Sequence, residues 1–350
     1  MEASVITTYR CPMHCAMCNI WDNPSDQNKE FKPALLKKLP KVRLVNLTGG
    51  EPLIREDLEE IVAILFTKTD RVCISTSGWF EDRIFKLARK FPNLGFRVSI
   101  EGMSQKNDEL RGRPGGFDRG LRVLLGLRRM GIRDIGFGIT VSNNNSPDML
   151  WLYELSRQLK MEFATAAFHN SFYFHKDDNI ITNVDAVCTD FEELTNRLMK
   201  ANHPKSWFRA FFNLGLINYI HGGRRLLPCE AGTENFFIDP YGEILACNGM
   251  ESKYWHQSMG NLHDVGDFME IWNGPIAQEV RQKVATCPKN CWMIGSASPV
   301  MKKYIIKILP WVLMNKLKSL RGQRMRCDEF PQFHIPRNPA QGCPAQNCDH

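Results

Sequence analysis
The chain has 350 residues, 43% hydrophobic and 24% charged, with a formal net charge of +7. That length exceeds one small core and suits a large domain beside a smaller one, and the composition is neither fibrous nor disordered. The modest positive charge is spread along the chain, so it biases weakly toward anionic partners and gives no reason to expect nucleic-acid binding. No export signal precedes Cys11, and the longest apolar run, 304–314, is interrupted by Lys307 and Pro310. Twelve cysteines in such a chain favour metal ligation over disulfides and predict a cytoplasmic protein.

Residues 3–9 read as a β-branched, apolar first strand that feeds Cys11, Cys15 and Cys18. Trp21, soon after, suits either shielding of a bound group or ordinary packing. A helix is predicted over 34–39 and a buried second strand over 42–47, ending in Thr48-Gly49-Gly50-Glu51-Pro52. Leu58, Ile61 and Leu65 have helical spacing. Strands follow at 72–76, 95–100, 135–141 and 161–168, with helices at 83–90, 118–130 and 149–159 and a turn-rich loop at 111–117. Six strands alternating with helices imply parallel βαβ units, with polar and glycine residues gathered after the strands, where barrel enzymes place their chemistry. The stretch 170–227 is mixed, with 207–212 on a helix; 235–238 and 243–246 form a hairpin around Asp239-Pro240-Tyr241-Gly242.

Three thiolates spaced C-x3-C-x2-C reach one [4Fe–4S] cluster and leave its fourth iron open to a small molecule. The alternative is a zinc knuckle or redox loop, although zinc sites usually close with four ligands in paired spacing. The Gly-Gly-Glu-Pro turn after strand two decides between them. With both motifs in place, the chain resembles the radical S-adenosylmethionine (SAM) enzymes. The resemblance implies an α/β fold with a partial (β/α)6 TIM-like barrel. It also implies a cluster on Cys11, Cys15 and Cys18 that binds SAM and, after one-electron reduction by a partner such as flavodoxin or ferredoxin, yields a 5′-deoxyadenosyl radical. Gly49, Gly50, Glu51 and Pro52 are then the SAM-amine motif, and Ser99 and Glu101 match the position that contacts the ribose or the carboxylate. Arg111 is a candidate partner for the SAM carboxylate, with Arg113 and Arg119 competing for that role. Ser75 to Gly78 and Asn143 are candidates for the floor of the site, and no catalytic acid or base is assigned, His169 and His175 included.

Cys229, Cys247, Cys287 and Cys291 flank the hairpin and a downstream helix, and make a plausible four-thiolate cage. They resemble the twitch and SPASM auxiliary-cluster domains, implying a small C-terminal α+β domain with an auxiliary [4Fe–4S] cluster; a zinc ribbon remains open. The gaps to Cys327, Cys343 and Cys348 depart from a full SPASM pattern, so a second auxiliary cluster is not expected. Cys73 reads as a buried small hydrophobe, and Cys188 has no partner at a recognisable spacing. The expected division is 1–228, 229–299 and 300–350, the last a basic amphipathic helical segment and tail. Residues 300–326 suit either a cover for the barrel or peripheral contact with an anionic membrane. Only ten residues precede Cys11 and the auxiliary region has the one-cluster form. The expected substrate is therefore a small molecule (a sugar, cyclitol or nucleotide sugar), oxidised with help from the auxiliary cluster. The alternative is a peptide-modifying (RiPP-type) maturase. A non-catalytic iron–sulfur or zinc-binding protein needs no open-iron triad beside Gly-Gly-Glu-Pro.

Overall fold
A computed structural model describes residues 1–249, 257–326 and 330–333. Six parallel strands, β1 (Glu2–Ile6), β2 (Val45–Thr48), β3 (Val72–Thr76), β4 (Gly95–Ser99), β5 (Ile135–Val141) and β6 (Glu162–Ala167), stand side by side in sequence order. The order ends at β6 without returning to β1, so the (β/α)6 barrel is partial. Val5, Val45, Leu47, Ile74, Phe96, Val98 and Phe137 are all fully buried, on the strand faces opposite the polar residues Ser4, Asn46, Ser75, Ser99 and Thr140.

On its other edge, β1 pairs in parallel with β7 (Asn235–Ile238), from Glu2 opposite Asn235 to Val5 opposite Ile238. Two short antiparallel strands, β8 (Glu243–Leu245) and β9 (Gly260–Asn261), extend the sheet further. The β7–β8 turn is set by Asp239, whose Oδ1 accepts from the backbone N–H groups of Tyr241 (2.9 Å) and Glu243 (2.8 Å). One continuous sheet therefore carries the hairpin with Cys247 alongside the strand that feeds Cys11.

The expected strands all form: 72–76, 135–141 and 235–238 keep their expected bounds, and the others shift or shorten at their ends. The stretch 34–39 is a 3-10 helix, Pro33–Lys38, which stops where Leu39 precedes Pro40. Ser104–Arg111 is a helix that hydrophobic spacing does not reveal, because its buried face is Asn107, Leu110 and Arg111. The mixed stretch resolves into two long packed helices, Val184–Lys200 and Pro204–Ile220, and the basic segment into Ile294–Lys303 and Ile305–Leu320. Cys73 and Cys188 are buried. Cys327, Cys343 and Cys348 lie outside the described residues. No described helix is long and apolar enough to cross a membrane.

Candidate functional site
The loop after β1 is held on both sides by backbone. Gly50 N–H donates to Thr8 O (2.7 Å) and Glu51 N–H to Arg10 O (2.9 Å), while His14 and Ala16 donate to the last carbonyls of Ser104–Arg111, those of Arg111 and Leu110. Those carbonyls lack intrahelical partners, so the cysteine loop caps the helix that carries Arg111. The two glycines are required by this approach. A Cβ on Gly49, at φ +152°, falls 2.5 Å from Thr8 O, and one on Gly50 falls 2.2 Å from Arg10 O. Buried Glu30 fixes the loop's first turn, accepting from Thr8 Oγ1 and Ser25 Oγ (both 2.6 Å) and pairing with Arg10.

A cavity of about 330 Å³ opens over the C-terminal ends of the strands. Cys11, Cys15 and Cys18 line one side of it, and small polar residues of β1 to β5 (Ser4, Asn46, Ser75, Ser99, Thr140) form its floor. Burial pushes the Cys11 and Cys18 thiols up to about 12 and raises Cys15 as well, with the Arg111 guanidinium acting in the opposite sense on all three. Metal ligation would have to displace those protons. Glu101 and Arg111 also line the cavity. Arg111 Nη1 donates to Glu101 Oε1 at 3.2 Å, Thr140 N–H donates to Glu101 Oε2 at 2.6 Å, and Arg111 Nε is buried with no partner. Burial raises the Glu101 carboxyl pKa, against the pull of Arg111 and the Thr140 N–H.

The structure brings Gly49, Gly50, Ser99, Glu101 and Arg111 to the same cavity as the three cysteines. It turns Glu51 elsewhere. The Glu51 carboxylate is fully buried and accepts from Thr76 Oγ1 (2.8 Å), Ser77 N–H (2.7 Å), Leu53 N–H (3.2 Å) and Ser77 Oγ, bracing the motif against β3. Neither Glu51 nor Pro52 lines the cavity. The competing arginines also point elsewhere: Arg113 Nε donates to Pro12 O (2.7 Å), and both Arg113 and Arg119 lie over the Trp79 ring. Ser75 to Ser77 reach the floor, whereas Asn143 Oδ1 instead accepts from the Thr182 and Asn183 N–H groups.

Two residues with no expected role stand out. Tyr173 is buried and its hydroxyl donates to Gly49 O at 2.6 Å. His169 lines the cavity, its Nδ1 2.8 Å from Ala167 O; that carbonyl can only accept, so Nδ1 carries the proton. Its Nε2 is buried and unpartnered, and burial lowers the imidazole's pKa. A lone histidine in a sequence carries no signal of this; the signal is the carbonyl that sets its tautomer.

The C-terminal region lines the same cavity with Asn248, Trp292, Met293, Ile294 and Gly295, next in sequence to Cys247 and Cys291. Cys247 feels the charges of Cys291, Cys229 and Cys287, so the four thiols share one neighbourhood; burial first, and these neighbours second, raise its pKa. Arg225 and Lys289 offset the same effect at Cys291, and Arg225 donates to the Cys291 carbonyl. Among the described residues no three His, Cys, Asp or Glu side chains converge on a single ion. A [4Fe–4S] cluster takes one thiolate per iron, so both all-cysteine sets suit it without such convergence. A small apolar cluster of Ile6, Tyr9, Ile20, Tyr173, Phe237 and Leu245 packs against Cys11, Cys18 and Cys247, joining the two sets.

Residues 5–154 match the sequence model of the radical SAM superfamily, and residues 229–292 match SPASM, an iron–sulfur cluster-binding domain. The chain belongs to the radical SAM superfamily. As a radical SAM enzyme with a SPASM domain it uses SAM and [4Fe–4S] clusters. It is 31% identical to Fe-coproporphyrin III synthase of Methanosarcina barkeri over 163 residues, which are 44% of this chain and only 40% of that protein. Mycofactocin maturase MftC of Mycobacterium tuberculosis matches at 22% identity over 283 residues, 79% of this chain and 71% of that one. Streptococcus suis SuiB bound to precursor peptide SuiA superposes with a TM-score of 0.61 at 15% identity, over 80% of this chain and 66% of that one. At such identity the superposition establishes the radical SAM fold alone.

Proposed function
We propose that this radical SAM enzyme modifies a peptide, removing hydrogen from an apolar or aromatic side chain held between two cluster sites. The observation that carries the reading is one cavity lined both by the cysteine triad and by the sequence neighbours of Cys247 and Cys291. The roles named for MftC, a maturase, and for SuiB, bound to a precursor peptide, favour this over the small-molecule substrate expected from the sequence. The lining supports it. Trp21, Phe174, Leu216, Phe237, Trp292 and Ile294 give apolar walls, and the fixed charges, Glu101 and Arg111, face each other. Among the described lining residues that leaves no spare cation for the phosphates of a nucleotide sugar.

Cys11, Cys15 and Cys18 would hold the SAM-binding cluster, and Cys229, Cys247, Cys287 and Cys291 the auxiliary one. Arg111 Nε, an orphaned donor, would take the SAM carboxylate, while Glu101 and Ser99 accept from ribose hydroxyls. Bound together, cluster and SAM supply a 5′-deoxyadenosyl radical that abstracts a hydrogen atom. This chain's residues place the side chain, exclude water and receive a proton, and the electron left behind would pass to the auxiliary site at Cys229, Cys247, Cys287 and Cys291. His169 Nε2 is the acceptor: a lone pair with no competing partner, on a ring whose tautomer is set by Ala167 O.

Anaerobic turnover with SAM and a chemical reductant tests the proposal on two panels, synthetic peptides bearing one aromatic or aliphatic side chain, and sugars, cyclitols and nucleotide sugars. Peptides are expected to raise 5′-deoxyadenosine output and lose hydrogen by mass; turnover of the second panel alone would restore the small-molecule reading. In the same assay His169→Gln should lower kcat by about 10²–10³-fold while uncoupled SAM cleavage persists. The lowered imidazole pKa means the base form survives acidification. The parent's kcat/KM should therefore fall only below the ordinary value of ~6.5, and the variant should lack that limb.

A further inference from the structure
Helix Ile305–Leu320 is seated on the protein by Ile308, Val312, Asn315 and Lys316, all buried. Its opposite face carries Ile306, Leu309, Leu313, Leu317 and Leu320, exposed by 82, 40, 46, 56 and 69%. Steps of three and four residues put these five on one stripe roughly 21 Å long that points away from the core. Single exposed leucines are ordinary, but a line of five on a docked helix is a contact surface.

The stripe is free of charge because the cation that would interrupt it turns inward. Lys316 Nζ donates to Met199 O (2.9 Å) and Ala201 O (3.0 Å) at the end of helix Val184–Lys200 and lies 4.9 Å from the Trp207 ring. Both ends of the segment are pinned, by Lys302 to Glu2, Lys303 to Glu230 and Arg324 to Glu193. The outer face is thus held in place as built. Within the segment itself the charge has one sign: residues 294–326 contain eight lysines and arginines, three of them in these pairs, and no aspartate or glutamate. Lys307, Lys318 and Arg321 are exposed beside the stripe.

We propose that this helix lies flat on an anionic lipid bilayer, with the leucine stripe in the acyl boundary and Lys307, Lys318 and Arg321 among the headgroups. The charge favours lipid over a second copy of the chain. A two-fold pairing would set the same cationic face against itself, and like charges opposed across an apolar seam repel. An anionic surface answers both the stripe and its flanks.

Flotation of the full-length, reconstituted protein with vesicles tests this. Mixed phosphatidylcholine–phosphatidylglycerol vesicles should carry the protein, phosphatidylcholine alone should not, and salt should weaken the binding. Leu313→Glu/Leu317→Glu should lower the partition by more than about tenfold, with iron content and thermal unfolding unchanged because both side chains point outward. Equal partition of parent and variant, or no binding to either vesicle, would overturn the proposal. A concentration-dependent dimer abolished by the same substitutions would place a second copy on the stripe instead.

Discussion

Gly50→Ala should destabilise the protein by at least about 3 kcal/mol and strip iron from the first cysteine site. The added methyl would stand 2.2 Å from Arg10 O, 2.6 Å from Arg10 C and 2.9 Å from Tyr9 C. All three are backbone atoms, so no rotamer change relieves the clash. Separating the strands costs the Gly50–Thr8 and Glu51–Arg10 hydrogen bonds, about 1 kcal/mol each. It also displaces Arg10, the residue directly before Cys11. Gly138→Ala is the control, since the nearest atom to its added Cβ is 4.0 Å away. Thermal unfolding and iron content of both variants measure the effect. A Gly50→Ala protein that melts with the parent and keeps its iron would show that the glycine pair does not set the loop.

Glu101→Ala is the second large effect. It leaves the Arg111 guanidinium buried beside the cavity without its carboxylate and deprives Thr140 N–H of its acceptor. Removing one partner of a buried pair costs about 3–5 kcal/mol, chiefly because the other charge is left unpaired. Replacing both, as Glu101→Leu/Arg111→Met, should recover most of that stability. It should not recover SAM binding, because the proposed carboxylate fork and the proposed ribose acceptor are gone together. Chemical denaturation and equilibrium dialysis with SAM separate the two properties. A double variant that binds SAM as the parent does would remove both residues from the SAM site.

The parallel strands were legible because short β-branched, apolar stretches alternate with segments of helical spacing, and the cysteine triad because ligand spacing is written directly in sequence. Helix Ser104–Arg111 was not, since its inward face carries Asn107 and Arg111, and a polar buried face has no hydrophobic period. Glu51 shows a different limit. The motif identifies the turn, but only packing shows the carboxylate aimed at Thr76 and Ser77 and away from the cavity. The choice among Arg111, Arg113 and Arg119 likewise needed the Trp79 ring that occupies two of them. The substrate expectation leaned on the length before Cys11 and on cysteine gaps, and neither describes the cavity wall. The basic character of 300–326 was visible in the sequence, whereas the charge-free stripe depends on Lys316 turning inward.

The central expectation is two cluster sites: the triad that lines the cavity, and the auxiliary set whose sequence neighbours line it too. The most direct test is iron and sulfide content with EPR, on anaerobically reconstituted parent and on Cys11→Ala/Cys15→Ala/Cys18→Ala. The account predicts about eight irons in the parent and about four in the variant, one [4Fe–4S] cluster per cysteine set. About four irons in both would contradict the role of the triad, and about four and none would contradict the auxiliary site at Cys229, Cys247, Cys287 and Cys291.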